Sequence, residues 1–333
     1  LQTILIGSIV VLPLITVLFD QSAIMRLKGT SSFSDQTALL ARNIAKLEFD
    51  QKLGDSFGML LDNRRIVWIK TILSGYLSHF SLRWLFLTGD NPRHHAPGMG
   101  LLYIFELPLL FLGLYVLSKN THEKYSKLLF GWIILSPVAA APTTGLPHAI
   151  RTLVFLPSFQ IITAIGIAEC FYYFETLKKI RKFLAGIVGG MFVLFALGNI
   201  LYYLNMYFVQ QNYEYSQYWQ YGYRDVVSYA QSHKQNYDRV YVSTDLEQSY
   251  MFFLFYTKYD PKKYLAGGGT KSGSFDAESN AFDTYIFKKV NLQEICKKES
   301  VLYIGTPSEI PHGNVMNYKF LDGTPSIELA DCK

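Results

Sequence analysis

Long apolar runs without a charged residue constrain this chain more than any other feature, because a segment that crosses a hydrocarbon core of roughly 30 Å needs about 20 of them. Such runs occupy residues 1–19, 128–149 and 184–213. Two more carry a single acid each: 101–118 with Glu106, and 152–174 with Glu169 close to its end. Charged residues make up 17% of the chain, against about a quarter in soluble proteins. Mean hydropathy is nevertheless only +0.15, so very apolar segments alternate with an ordinary polar part. The expectation is five spanning helices.

A signal peptide explains the first run poorly, since the run lacks a basic start and its length suits a spanning helix. The chain opens with Leu rather than Met. It is therefore expected to begin at or inside a helix of a longer membrane protein.

Short cytoplasmic loops collect Lys and Arg. Residues 118–127 hold Lys119, Lys124 and Lys127, and residues 174–182 hold Lys178, Lys179, Arg181 and Lys182. Both loops belong inside. The connection before Arg151 then lies outside, with residues 20–98 and everything after about Val209. The expected fold class is mainly α, a polytopic membrane helix bundle with a large external loop and an external α/β domain. The divisions are 1–19 (transmembrane helix), 20–100 (external loop), 101–208 (four-helix transmembrane region) and 209–333 (α/β domain).

Within the external loop, residues 35–49 place Leu39, Leu40, Ile44 and Leu47 near helical spacing. A second apolar stretch, 65–87, mixes Trp68, Tyr76 and Trp84 with Arg65, Lys70 and Arg83. That mixture suits helices lying in the headgroup layer; a small globular insertion is the alternative. In the tail, residues 223–234 have helical periodicity, and 239–244, 284–290 and 300–307 read as strands. Asp322-Gly323 between two alternating segments signals a hairpin. The glycine-rich stretch 266–274 is read as a flexible loop, because it lacks the Gly-Lys-Ser/Thr ending of a phosphate cradle. Cys296 and Cys332 both fall in the tail, where a disulfide is open to them, although spacing alone fixes no geometry. No Cys/His arrangement has zinc-site spacing. The net charge of +5 is accounted for by the inner loops and the external surface, and gives no reason to invoke nucleic acid.

Two polar turns stand out. GDNPRHHAPGMG, residues 89–100, sets Asp90, Arg93, His94 and His95 at the mouth of the second span. GLPHAIRTL, residues 145–153, opens the fourth span on the same side, with Pro147 expected in the first helical turn. His148 and Arg151, three apart, would then share a helix face. Helix N-termini attract anions and Arg matches phosphate oxygens, so the two turns are read as a phosphate or diphosphate seat. The bland alternative is snorkelling to headgroups. Glu106 is expected about one and a half turns into the second helix, where an ionisable group is costly and suggests function, or pairs with Arg151. Trp219 and Tyr221 lie in an aromatic cluster that is either an interfacial belt or a stacking surface for a sugar or acceptor.

The order of these features, with LLYIFELPLLFLGLY after GDNPRHH and then PHAIRTLVFLPSFQ, resembles bacterial polyprenyl-phosphate-dependent glycosyltransferases of the GT-C superfamily. These are relatives of protein O-mannosyltransferases and lipid A aminoarabinose transferases, glycosyltransferase family 39-like. The resemblance covers nearly the whole chain as a texture of helices and short motifs, without an invariant signature. It implies a multi-pass protein of the bacterial cytoplasmic membrane that moves a sugar, with inversion, from a polyprenyl-phosphate donor to an external glycan, lipid or protein. It also implies a catalytic Asp in a first external loop for which this chain has no matching position, so Asp90 and Glu106 are weak candidates for that role. Arg93, His94, His95, His148 and Arg151 carry over as donor-phosphate contacts. No cofactor is assigned, a divalent metal stays open, and no residue is assigned to one. Rival readings are an O-antigen-ligase-like glycan transferase, a membrane-anchored binding module and, least favoured, a transporter.

Overall fold

The structure, a computed structural model, describes residues 2–17, 19, 21–34, 37–270, 280–310 and 315–332. The chain divides into two compact units, Leu1–Gly29 with Tyr213–Lys333, and Thr30–Asn212. Helices dominate, and a mixed sheet lies in the first unit. Helices α1 (Gln2–Val17) and α2 (Gln21–Thr30) come first in the chain.

The unit Thr30–Asn212 begins with α3 (Thr37–Leu53), α4 (Ser56–Leu61) and α5 (Arg64–Ser78). α4 starts where Asp55 Oδ1 accepts from the backbone N–H groups of Phe57 and Gly58. α5 starts where Asn63 Oδ1 accepts from Arg65, the usual satisfaction of otherwise orphaned donors. The two helical stretches expected in the long loop are therefore present. The first of them begins at Thr37, residues 35 and 36 lying outside the described residues. The second divides into α5 and a π-turn at Trp84–Thr88.

Four helices follow: α6 (Glu106–Lys119), α7 (Lys124–Leu135), α8 (Leu156–Thr176) and α9 (Lys179–Asn205), the last continuing through a π-turn into α10 (Gln211–Glu214). Glycines set the α6–α8 crossing. A Cβ on Gly113 would lie 2.0 Å from the Ile162 carbonyl oxygen, and one on Gly166 2.0 Å from that of Leu109. Small residues let two backbones touch in this way. Leu110, Leu117, Leu129, Phe155, Phe159 and Ile162 fill the core around that crossing.

Two helices among the described residues are long and apolar enough to cross a membrane, Leu153–Thr176 and Lys179–Glu214. No residue of α9 is buried. The other three expected spans are shorter helices. α6 has 14 residues and α7 has 12, about 21 Å and about 18 Å at 1.5 Å per residue. The apolar run 128–149 is not one helix. Pro137 lacks the N–H that would continue it, and the chain then makes turns from the Pro137 carbonyl to the Ala140 and Ala141 amides. Next it is pinned against residues 30–32, with Ser32 N donating to Pro142 O, Thr144 N to Thr30 O, and a bridge between Ser31 and Thr143. The run 101–118 likewise becomes helical only at Glu106, because Leu102 N donates back to Leu85 O and Ile104 N to Asn199 Oδ1. Glu106 is thus the first residue of α6, a correction to its expected depth within the helix.

In the other unit, α11 (Tyr223–His233), α12 (Ser249–Thr257), α13 (Pro261–Ala266) and α14 (Leu292–Ile295) accompany six strands. These are β1 (Arg239–Val242), β2 (Asn280–Phe282), β3 (Tyr285–Phe287), β4 (Val301–Gly305), β5 (Met316–Lys319) and β6 (Pro325–Cys332), in the order β2-β3-β1-β4-β6-β5. β1 runs parallel to β3 and β4, and the outer pairings are antiparallel. Val226, Val227 and Ala230 of α11 and Phe253 of α12 pack on Val240, Val242, Leu302 and Ile304. The expected α/β unit and its closing hairpin are both present. Gly323 takes φ +86° in the turn, where Asp322 Oδ1 accepts from Thr324 N and Oγ1. Cys296 and Cys332 are joined by a disulfide. Of the glycine-rich stretch 266–274, residues 271–274 lie outside the described residues.

Candidate functional site

The two polar turns meet. After the π-turn at Trp84–Thr88, Gly89 takes φ +60° and the chain reverses through Asn91-Pro92, with Arg93 N and His94 N closing onto Asn91. This reversal points Asp90 at the second turn. Asp90 Oδ2 accepts the Ala149 N–H at 2.7 Å and lies 3.2 Å from His94 Nδ1, while Oδ1 accepts from Asn91 N. The rings of His94 and His148 stack, with centroids 4.6 Å apart and planes 26° from parallel. His148 Nδ1 stands 3.9 Å from Asp90 Oδ2.

Residues 147 and 148 are irregular and 149–152 form a turn, so neither Pro147 nor His148 lies in the first turn of a helix, and α8 begins only after a 3₁₀ turn at Leu153–Phe155. The expected sharing of a helix face by His148 and Arg151 is corrected accordingly: their proximity comes from the loop. Arg151 Nη1 donates to Thr143 Oγ1 and to Thr144 O. Its expected alternative partner, Glu106, has a buried Oε2 that makes no hydrogen bond. Arg93 is exposed.

Other groups hold the turns in place, and sequence reading did not find them. His79, fully buried at the end of α5, lies 2.8 Å through Nδ1 from the Gly75 carbonyl. A carbonyl only accepts, so Nδ1 carries the hydrogen and Nε2 is the acceptor for His148 N at 3.4 Å. Gln211 Nε2 donates to the carbonyls of Pro92 and His95. His79 had no positional signal, being one histidine inside an apolar stretch, and Gln211 sits in the polar end of a helix otherwise read as aromatic belt.

His95 is committed differently from His94. Its Nε2 donates to Gly100 O at 2.8 Å, and its ring packs against Gly89, where a Cβ would lie 2.4 Å from Nδ1. That nitrogen is buried without a hydrogen-bond partner. Burial lowers the pKa of His79, His95 and His148 below the usual histidine value. At His148 the Arg151 charge adds to the effect and Asp90 opposes it. Near neutral pH these three imidazoles therefore offer N–H groups and lone pairs, and Arg93 and Arg151 bring guanidinium charge to the two turns.

Beside the turns opens a cleft of about 280 Å³. His94 and His95 form its polar edge, and Met99, Leu102, Leu153, Leu156 and Tyr203 belong to its mainly apolar wall. Trp219 and Tyr221 belong to the other unit, where both side chains are exposed. No protein-family model, curated protein or solved structure matches this chain.

Proposed function

We propose that this chain is part of a multi-pass membrane glycosyltransferase that takes a sugar from a polyprenyl-phosphate donor and passes it to an acceptor outside the membrane. α1, α6 and α7 would accompany the two long helices in the bilayer, and the α/β domain would lie on the external side. The observation that carries this reading is the pairing of a polar histidine edge with an apolar cleft wall in one recess. A lipid phosphate has the same division, a charged head and an isoprenoid chain.

In this reading His94 and His148 line the donor-phosphate seat, and Arg93 and Arg151 supply the positive charge. The apolar wall takes the first isoprene units. An acceptor hydroxyl attacks the anomeric carbon, the carbon–oxygen bond to phosphate breaks with inversion, and the polyprenyl phosphate leaves as an anion. Fixed N–H donors and guanidinium groups stabilise that developing charge. The acceptor proton goes to a carboxylate. Asp90 is a poor choice for it, because its side chain is 7% exposed and both oxygens already accept hydrogen bonds. Asp90 acts here as the clamp between the turns. No base is assigned within this chain.

The test is transfer from a short-chain polyprenyl-phosphate hexose by the full-length protein in lipid nanodiscs. Arg151→Ala should reduce transfer at least tenfold at unchanged expression, with Arg151→Lys restoring part of it. Full activity in Arg151→Ala removes Arg151 from the mechanism, and no transfer by the wild-type protein contradicts the reading as a whole.

A further inference from the structure

Asp90, His94 and His148 bring one carboxylate and two imidazoles together, with one ligand-type atom of each lying within 4.8 Å of the others. We infer that these three side chains bind a divalent cation of the zinc class, a centre assembled across two loops whose ligands, His94 and Asp90 on one and His148 on the other, lie far apart in sequence. Its ligand set is N₂O, with Nδ1 of each histidine and Oδ2 of Asp90.

Spacing supports the assignment first. Ligands at about 2.0–2.2 Å from a tetrahedral zinc lie about 3.3–3.5 Å from one another. The separations from Asp90 Oδ2 are 3.2 Å to His94 Nδ1 and 3.9 Å to His148 Nδ1. The longer distance exceeds a hydrogen bond and needs a shift of about half an ångström to reach zinc-ligand spacing.

A second observation is independent of that spacing. His148 Nδ1 is buried and has no hydrogen-bond partner, which is costly for a polar atom. Coordination would satisfy it. The carboxylate is also held by outer hydrogen bonds, as metal ligands characteristically are: Asn91 N and Ala149 N donate to it. On loading, the Nδ1–H···Oδ2 contact of His94 is replaced by two bonds to the metal. The Nδ1 proton is released to solvent and Nε2 takes one up, so the imidazole remains neutral.

One carboxylate and two neutral imidazoles leave a divalent ion with net positive charge and an open coordination position. An anionic oxygen is the natural fourth ligand. Metal binding does not depend on the glycosyl-transfer reading, since the ion alone is the probe.

The full-length protein, purified in nanodiscs and stripped with chelator, is titrated with Zn²⁺ against a chromophoric competitor, and in parallel with Co²⁺ followed by its visible spectrum. One equivalent of tight, saturable binding is expected. His148→Ala should weaken it more than tenfold, while His148→Cys should retain it and add a thiolate-to-cobalt charge-transfer band. Absence of stoichiometric binding in the wild type, wild-type affinity in His148→Ala, or no such band in His148→Cys overturns the assignment.

Discussion

The backbone N–H of Ala149 donates to Asp90 Oδ2 at 2.7 Å, joining two turns that lie 59 residues apart in sequence. Around this bond the His94 and His148 rings stack and the rim of the cleft takes shape. A short acidic side chain at a chain reversal thereby fixes the relative position of two loops. Its influence should exceed that of the more conspicuous arginines on stability.

Asp90→Ala removes the acceptor for Ala149 N and Asn91 N, and the buried Ala149 amide then has nothing in its place. A loss of about 1–3 kcal/mol is expected from an unsatisfied buried donor. Asp90→Asn keeps a carbonyl acceptor and should lose less. Thermal unfolding of both variants in detergent measures the difference, and equal melting temperatures for the two would contradict it.

The α6–α8 crossing leaves no room for a methyl group. Gly113→Ala or Gly166→Ala would place a Cβ 2.0 Å from a carbonyl oxygen of the facing helix, so the helices must separate. Overpacking of this kind costs about 1–3 kcal/mol. Gly131 and Gly186, where an added Cβ meets nothing within 4 Å, are the controls and should tolerate alanine.

Stability should depend on pH through the buried histidines. Burial holds the folded-state pKa of His79 and His95 below the ordinary 6.5. Above pH 6.5 both states leave these rings neutral and the stability is fully present. As pH falls through 6.5 the unfolded chain takes up protons that the folded one resists, so stability declines until the lower folded-state values are passed. Unfolding measured from about pH 8 to about pH 5 should show this fall, and His79→Gln should flatten it.

In the α/β unit, the Cys296–Cys332 bridge ties the segment after α14 to the end of β6, closing a loop of sequence separation 36. Cross-links over such loops contribute about 2–4 kcal/mol. Cys296→Ala with Cys332→Ala should lower the unfolding temperature of the full chain, and a reducing agent should do the same to the wild type but not to the double variant.

Much of this architecture was legible in the residues. The alternation around Asp322-Gly323 gave the hairpin, the Val- and Tyr-rich segments gave β1, β3 and β4, and apolar runs with at most one acid marked the two longest helices. Helix length was harder to read. Hydropathy sees Leu128 to Ala149 as continuous, whereas Pro137 and the pairing of Thr143 with Ser31 break it. Tertiary bonds from Leu102 and Ile104 likewise delay α6. At the site, residue types identified both turns, but not the roles within them. Arg151 looks like an anion ligand and uses one nitrogen on Thr143 and Thr144, while Asp90 joins the turns. Contacts between residues so distant in sequence leave no local pattern, which is also why the zinc-class ligand set escaped a search by spacing.

The most direct measurement is equilibrium binding of a short-chain polyprenyl phosphate, without sugar, to the full-length protein in nanodiscs. Wild type is compared with His94→Ala/His148→Ala and with Leu153→Gln on the cleft wall. Saturable binding weakened at least tenfold by both changes is expected, because head and tail would occupy one recess. Binding of equal strength in all three proteins would contradict a lipid-phosphate site at the junction of the two turns.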